Sequence, residues 1–86
     1  MKLYLVMARR KENFPPDVVG PHKDWLINLK VEGQLERTGN FSDGSGGAYI
    51  LKNIDSLEQA RALVATDPLV LRDASELTVY EWNTPG

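Results

Sequence analysis

The sequence predicts an α+β fold of β-α-β-β-α-β order, a ferredoxin-like sandwich with two helices on one face of a four-stranded antiparallel sheet. Three observations lead there. Bulky and β-branched segments open and close the chain. Between them lie two stretches whose apolar residues follow the helical period. A glycine-rich turn, Asp43-Gly44-Ser45-Gly46-Gly47, divides the strand-like residues between the two helices into a hairpin.

Lys2 to Ala8 is the first expected strand, and Asn13-Phe14-Pro15-Pro16 breaks the chain after it. Asp17 to Glu32 is the first expected helix. Val18, Val19, His22, Trp25, Leu26 and Leu29 form its apolar side, and Gly33 is its stop. Gly20-Pro21 weakens the first turn and makes Pro21 an alternative start. Gln34 to Ser42 and Ala48 to Asn53 are the hairpin strands. Asp55 or Ser56 caps the second helix, with a capping box at Ser56-Leu57-Glu58-Gln59. Leu57, Ala60, Leu63 and Val64 are its apolar stripe. It should stop near Thr66, because the residue before Pro68 is pushed out of the α region. Leu69 to Asp73 adds a short turn, Glu76 to Trp82 is the last strand, and Asn83 to Gly86 is a tail.

Neither side of the outer segments is polar. Leu3, Leu5 and Met7 alternate with Tyr4, Val6 and Ala8, and Leu77 and Val79 alternate with Thr78, Tyr80 and Trp82. Two helices cover only one sheet face. The other is expected to pack against a second copy of the chain, because a bare apolar sheet face is unusual on a monomer. The expected interface is either the Tyr4/Val6/Tyr80 set or the Leu5/Leu77/Val79 set.

Residues 1–86 are expected to form one domain, marginal in stability because a chain this short buries only about 60–65% of its unfolded surface. A hydrophobic content of 42% and a net charge of -2 suit a folded protein and not a disordered one. Without cysteine there is no disulfide scaffold, iron–sulfur ligation or thiol chemistry. One histidine makes a zinc or copper site improbable, and neither a metal nor another cofactor is expected. The apolar start meets Arg9, Arg10 and Lys11 too soon for a signal sequence, and no run approaches the roughly 18–20 apolar residues of a membrane span. A cytoplasmic location is therefore expected, with no membrane partner.

Proton chemistry near neutral pH falls to the single imidazole, His22. In this topology the first helix begins where the first strand ends, and the second helix finishes at the same end. Arg9, His22, the Ser42–Gly47 loop and Asp67 should therefore share one rim. A histidine there could move a proton, and a carboxylate on its other ring nitrogen would fix the tautomer. Arg9 could hold an anionic or enolate oxygen, and the glycine-rich loop could close over a small ligand. Each residue also has a plainer role: packed helix histidine, helix stop, solvated charge, flexible hairpin. The loop is not a phosphate loop, since it leads into a strand and lacks Gly-Lys-Ser/Thr. Nucleic-acid binding is not expected, because Gly47-Ala48-Tyr49-Ile50-Leu51-Lys52 carries a single aromatic residue and the chain is acidic.

These residues, taken in order, resemble the YciI family (YCII-related domain) of the dimeric α/β-barrel superfamily. The resemblance rests on Leu3–Met7, His22 with Trp25-Leu26, Glu32-Gly33-Gln34-Leu35, Phe41-Ser42-Asp43-Gly44 with Gly46-Gly47, Ser56-Leu57-Glu58-Gln59-Ala60, Asp67-Pro68 and Val79-Tyr80-Glu81-Trp82. It implies a homodimer with sheets packed face to face and a His–Asp pair, mapping onto His22 and Asp67, as the active site. Similar domains include a dehydrochlorinase of aromatic degradation, and the superfamily includes muconolactone isomerase; both move protons on small cyclic substrates. The family commonly has Gly-Pro-Phe where this chain has Gly39-Asn40-Phe41, which should loosen the strand end.

The expected function is thus acid–base catalysis, isomerase- or lyase-like, on a small cyclic or enolisable metabolite. His22 and Asp67 are the expected catalytic pair, and Arg9, Phe41, Ser42, Asp43 and Gly44 the expected substrate contacts. The alternative is a non-catalytic ligand-binding or dimerisation module of the same fold.

Overall fold

The computed structural model describes all residues, 1–86, and the order of its elements follows the expected plan. Strand β1 (Lys2–Arg10) is followed by a 3-10 turn (Pro16–Val18), helix α1 (Val19–Val31), and strands β2 (Leu35–Asn40) and β3 (Gly46–Leu51). Helices α2 (Leu57–Val64) and α3 (Pro68–Leu71) and strand β4 (Ser75–Asn83) complete the chain. The sheet is antiparallel throughout, in the order β2-β3-β1-β4. No helix is long and apolar enough to cross a membrane.

Local chemistry explains the boundaries. The proline pair carries the chain into α1 through a 3-10 turn with Pro16 in its first position. Pro21 is tolerated in the first turn of α1, where its missing N–H would have had no helical partner. Gly33, at φ +75°, turns the chain out of α1. The Ser56 hydroxyl accepts from the Gln59 N–H, and the Gln59 side chain reaches back to the Asp55 N–H. Asp67-Pro68, expected only to end α2, instead starts α3. The Asp67 side chain caps the Leu69 N–H and Pro68 occupies the first turn.

Registers settle which residues share a face. Val6 lies opposite both Tyr49 and Val79, while Leu5 lies opposite Ile50 and Tyr80. Tyr4, Val6, Ala8, Tyr49, Leu51, Leu77 and Val79 therefore face the helices, and Leu5, Met7, Ile50, Tyr80 and Trp82 face away. Both expected interface sets are corrected accordingly: Tyr80 lies on the face opposite to Tyr4 and Val6, and Leu5 on the face opposite to Leu77 and Val79, so each set joined residues of the two faces. On the helix side, Tyr4, Val6, Tyr49 and Leu51 pack with Leu26 and Leu29 of α1 and Ala60 and Val64 of α2. A second cluster of Ala8, Val18, Leu69 and Ala74 closes the end where β1 leaves the sheet. On the other side, Met7, Tyr80 and Trp82 remain 40%, 51% and 43% exposed.

Two glycines at the start of β3 let it close against its neighbours. A Cβ on Gly46, whose φ is +151°, would stand 1.9 Å from the Ala8 carbonyl oxygen, and one on Gly47 would stand 2.3 Å from that of Gly39.

Candidate active site

His22 sits one turn into α1, on the side that packs over β3. Its Nδ1 lies 2.8 Å from Oδ1 of Asp67, a residue 45 positions away in sequence. The rim position expected from chain order holds for this pair.

Asp67 is fully buried, and its carboxylate is met by donors from three elements. Oδ1 accepts from His22 of α1 and from the Leu69 N–H of α3 at 2.9 Å, and Oδ2 accepts from the Tyr49 hydroxyl of β3 at 2.9 Å. A buried carboxylate is costly unless hydrogen-bonded, and these contacts supply the bonds. A carboxylate only accepts, so Nδ1 of neutral His22 carries the hydrogen and Nε2 keeps its lone pair. Burial first, and the adjacent Asp67 second, push the Tyr49 hydroxyl far above its ordinary value of about 10, so it stays a donor.

An aromatic wall holds the imidazole. Trp25 stacks on it with ring centres 6.3 Å apart and planes 19° from parallel, and Trp25 meets Tyr49 edge to face at 5.5 Å. The Trp25 indole N–H donates to the Thr66 hydroxyl at 3.0 Å, which donates to the Leu63 carbonyl. The residue immediately before Asp67 thus anchors the residue stacked on His22.

His22 and Tyr49 line a cleft of about 300 Å³ that opens between the start of α1 and the ends of β1, β2 and β3. Val19, Leu26 and Leu69 give it apolar walls. Nε2 of His22 has no protein partner. The rim is not built wholly as expected. Arg9 points to the opposite sheet face, across from Gly46 and Glu76, and it is Arg10 that lines the cleft. Phe41, Ser42, Asp43 and Gly44 lie outside the cleft lining. Their turn closes on itself, with the Gly44 N–H on the Phe41 carbonyl and the Ser45 N–H on the Asp43 carboxylate; hydrogen bonding from Ser45, its side chain first and its N–H second, holds the Asp43 carboxyl below its usual range. The strand ends beside it line the cleft instead: Thr38, Asn40, Gly46 and Gly47.

Tyr49 and Arg10 are the site residues that sequence pattern alone does not single out. Both had a signal in strand parity, since Tyr49 alternates onto the side of Leu51, and Arg10 onto that of Tyr4, Val6 and Ala8. No group of three or more His, Cys, Asp or Glu side chains is placed to hold a metal ion.

No protein-family model matches the chain. It is 43% identical over 82 residues to the uncharacterized protein YjpA of Bacillus subtilis (strain 168), an alignment covering 95% of each chain. Among solved structures it is similar to 5-chloro-2-hydroxyhydroquinone dehydrochlorinase (TftG) from Burkholderia phenoliruptrix AC1100, in complex with 2,5-dihydroxybenzoquinone. The TM-score is 0.79 and the sequence identity 18%, covering 94% of this chain and 93% of that one.

Proposed function

For this chain, which belongs to the same family as YjpA of Bacillus subtilis, we propose an acid–base enzyme of YciI type acting on a small cyclic or enolisable metabolite. The observation that carries the reading is the 2.8 Å contact between Nδ1 of His22 and the buried Asp67 carboxylate, with the other ring nitrogen left to the cleft.

In this reading Nε2 of His22 removes a proton from a carbon next to a carbonyl. The carbon–hydrogen electron pair moves through the conjugated system onto the carbonyl oxygen. The imidazolium lies against Asp67, which is held in place by Tyr49 and the Leu69 N–H. The same imidazolium returns the proton at another carbon, which isomerises the substrate. Alternatively the enolate expels an anionic leaving group, and His22 gives its proton to solvent. A dehydrochlorinase of the same fold, solved with a dihydroxybenzoquinone, supports a small cyclic substrate.

The proposal includes a cytoplasmic homodimer joined through the open sheet face, supported by the exposure of Met7, Tyr80 and Trp82 there. A thermal-shift screen of small cyclic and enolisable acids, ketones and quinols finds ligands, because binding to the folded state raises its melting temperature. With a substrate in hand, His22→Ala should lower kcat by about 10²–10⁴-fold and change Kd by no more than a few-fold. Turnover by His22→Ala at the wild-type rate contradicts the reading.

A further inference from the structure

The charges around the cleft are one-sided. Arg10 and Lys23 line it, and no aspartate or glutamate does. Asp67 lies behind His22 with no exposed surface, its oxygens already taken by three donors. The five ion pairs of the molecule lie elsewhere or behind the imidazole, so neither Arg10 nor Lys23 has an acidic partner. In a chain of net charge -2, a cleft bearing only unpaired cations is a local reversal of sign.

Arg10 is also restrained. Its guanidinium lies over the Phe14 ring, 4.3 Å from the centroid, an arrangement that favours the cation and limits its rotamers. Stacking on one face leaves the guanidinium N–H groups in the plane available for a carboxylate fork. The Asn13–Pro16 breaker, which ends β1 and leads into α1, brings Phe14 there.

We infer that Arg10 and Lys23 form an anion subsite, and that the cleft takes small organic acids whose carboxylate meets these two cations while their apolar body lies along Val19, Leu26 and His22. The inference gives the acid–base reading its substrate class and rests on that reading for its purpose, but binding alone tests it. Benzoate and benzamide are a matched pair of probes, nearly equal in shape and differing in charge.

Backbone amide NMR titrations of Gly39, Gly46 and Gly47 should give saturable shifts with benzoate and a Kd at least about tenfold lower than for benzamide. Arg10→Gln should weaken benzoate about tenfold and leave benzamide within about twofold. Lys23→Gln should act in the same direction, less strongly. Lys30→Gln makes the same charge change in the last turn of α1, outside the cleft lining, and should change neither. Both cleft cations are exposed, and amide dispersion reports whether each variant folds. Equal affinity for the two probes, no saturable binding of either, or losses in Lys30→Gln matching those in Arg10→Gln would overturn the subsite. Wild-type turnover in His22→Ala, with the benzoate preference intact, would instead overturn the acid–base reading and leave the subsite standing.

Discussion

Tyr49 reaches from the middle of the sheet to Asp67, its hydroxyl donating to Oδ2 over 2.9 Å. That bond occupies the carboxylate oxygen that His22 does not use. With the Leu69 N–H on Oδ1, it leaves both oxygens of the buried carboxylate hydrogen-bonded. The orientation of His22 is therefore set from the sheet as well as from its own helix.

Tyr49→Phe tests that arrangement through stability. It removes a buried donor and leaves Oδ2 of Asp67 without one, so urea unfolding near neutral pH should show a loss of about 1–3 kcal/mol.

A second test of Tyr49 is pH dependence. The folded state holds the hydroxyl protonated well above its ordinary value of about 10, whereas the unfolded chain releases the proton there. Above that pH the folded state binds more protons. The Tyr49 contribution to stability is then present in full below about pH 10 and falls by about 1.4 kcal/mol per pH unit above it. Urea unfolding of wild type and Tyr49→Phe from about pH 9 to about pH 11 should show the two stabilities converging, since only the wild type carries this loss. A gap that stays constant would remove Tyr49 from the account.

The glycines of the β2–β3 hairpin separate by position. Gly46→Ala and Gly47→Ala force a Cβ into the carbonyls of Ala8 and Gly39 and should each cost at least about 1–3 kcal/mol in thermal or urea unfolding. A Cβ on Gly39 meets nothing within 4 Å, so Gly39→Ala should be neutral or stabilising by up to about 1 kcal/mol.

The open sheet face gives a prediction about assembly. Leu5, Ile50 and Tyr80 lie side by side there, so sedimentation at micromolar concentration should report a dimer. Leu5→Glu should dissociate it, because the dimer would bury an unpaired charge at a cost of several kcal/mol. A wild-type monomer would remove the dimer from the proposal.

Much of the fold was legible because each element carried its own punctuation: the proline pair before α1, Gly33 after it, and Ser56 with Gln59 at the start of α2. What escaped was whatever depends on register or extent. With the expected first strand ending at Ala8, Arg9 and Arg10 belong to one basic run. Two further residues of strand put them on opposite faces and gave the cleft to Arg10. Tyr80 could not be placed with Leu5 without the β1–β4 pairing. Asp67-Pro68 carries two signals, a helix stop and a cap followed by proline at the first helical position, and the second shows only where α3 begins. The meeting of His22 with Asp67 was legible from chain order. The presence of Tyr49 was not: Tyr4 is a second buried tyrosine and its hydroxyl has no partner, so burial alone does not single Tyr49 out.

The central claim is that Asp67 holds His22 with Nδ1 protonated and Nε2 free as a base. The most direct measurement is the pair of imidazole ¹⁵N shifts of His22, the only histidine, at alkaline pH where imidazoles are neutral. Wild type should show a protonated Nδ1 and an unprotonated Nε2, and Asp67→Asn should shift the ring toward a tautomer mixture. A wild-type ring protonated at Nε2, or tautomer populations unchanged by Asp67→Asn, would contradict the account.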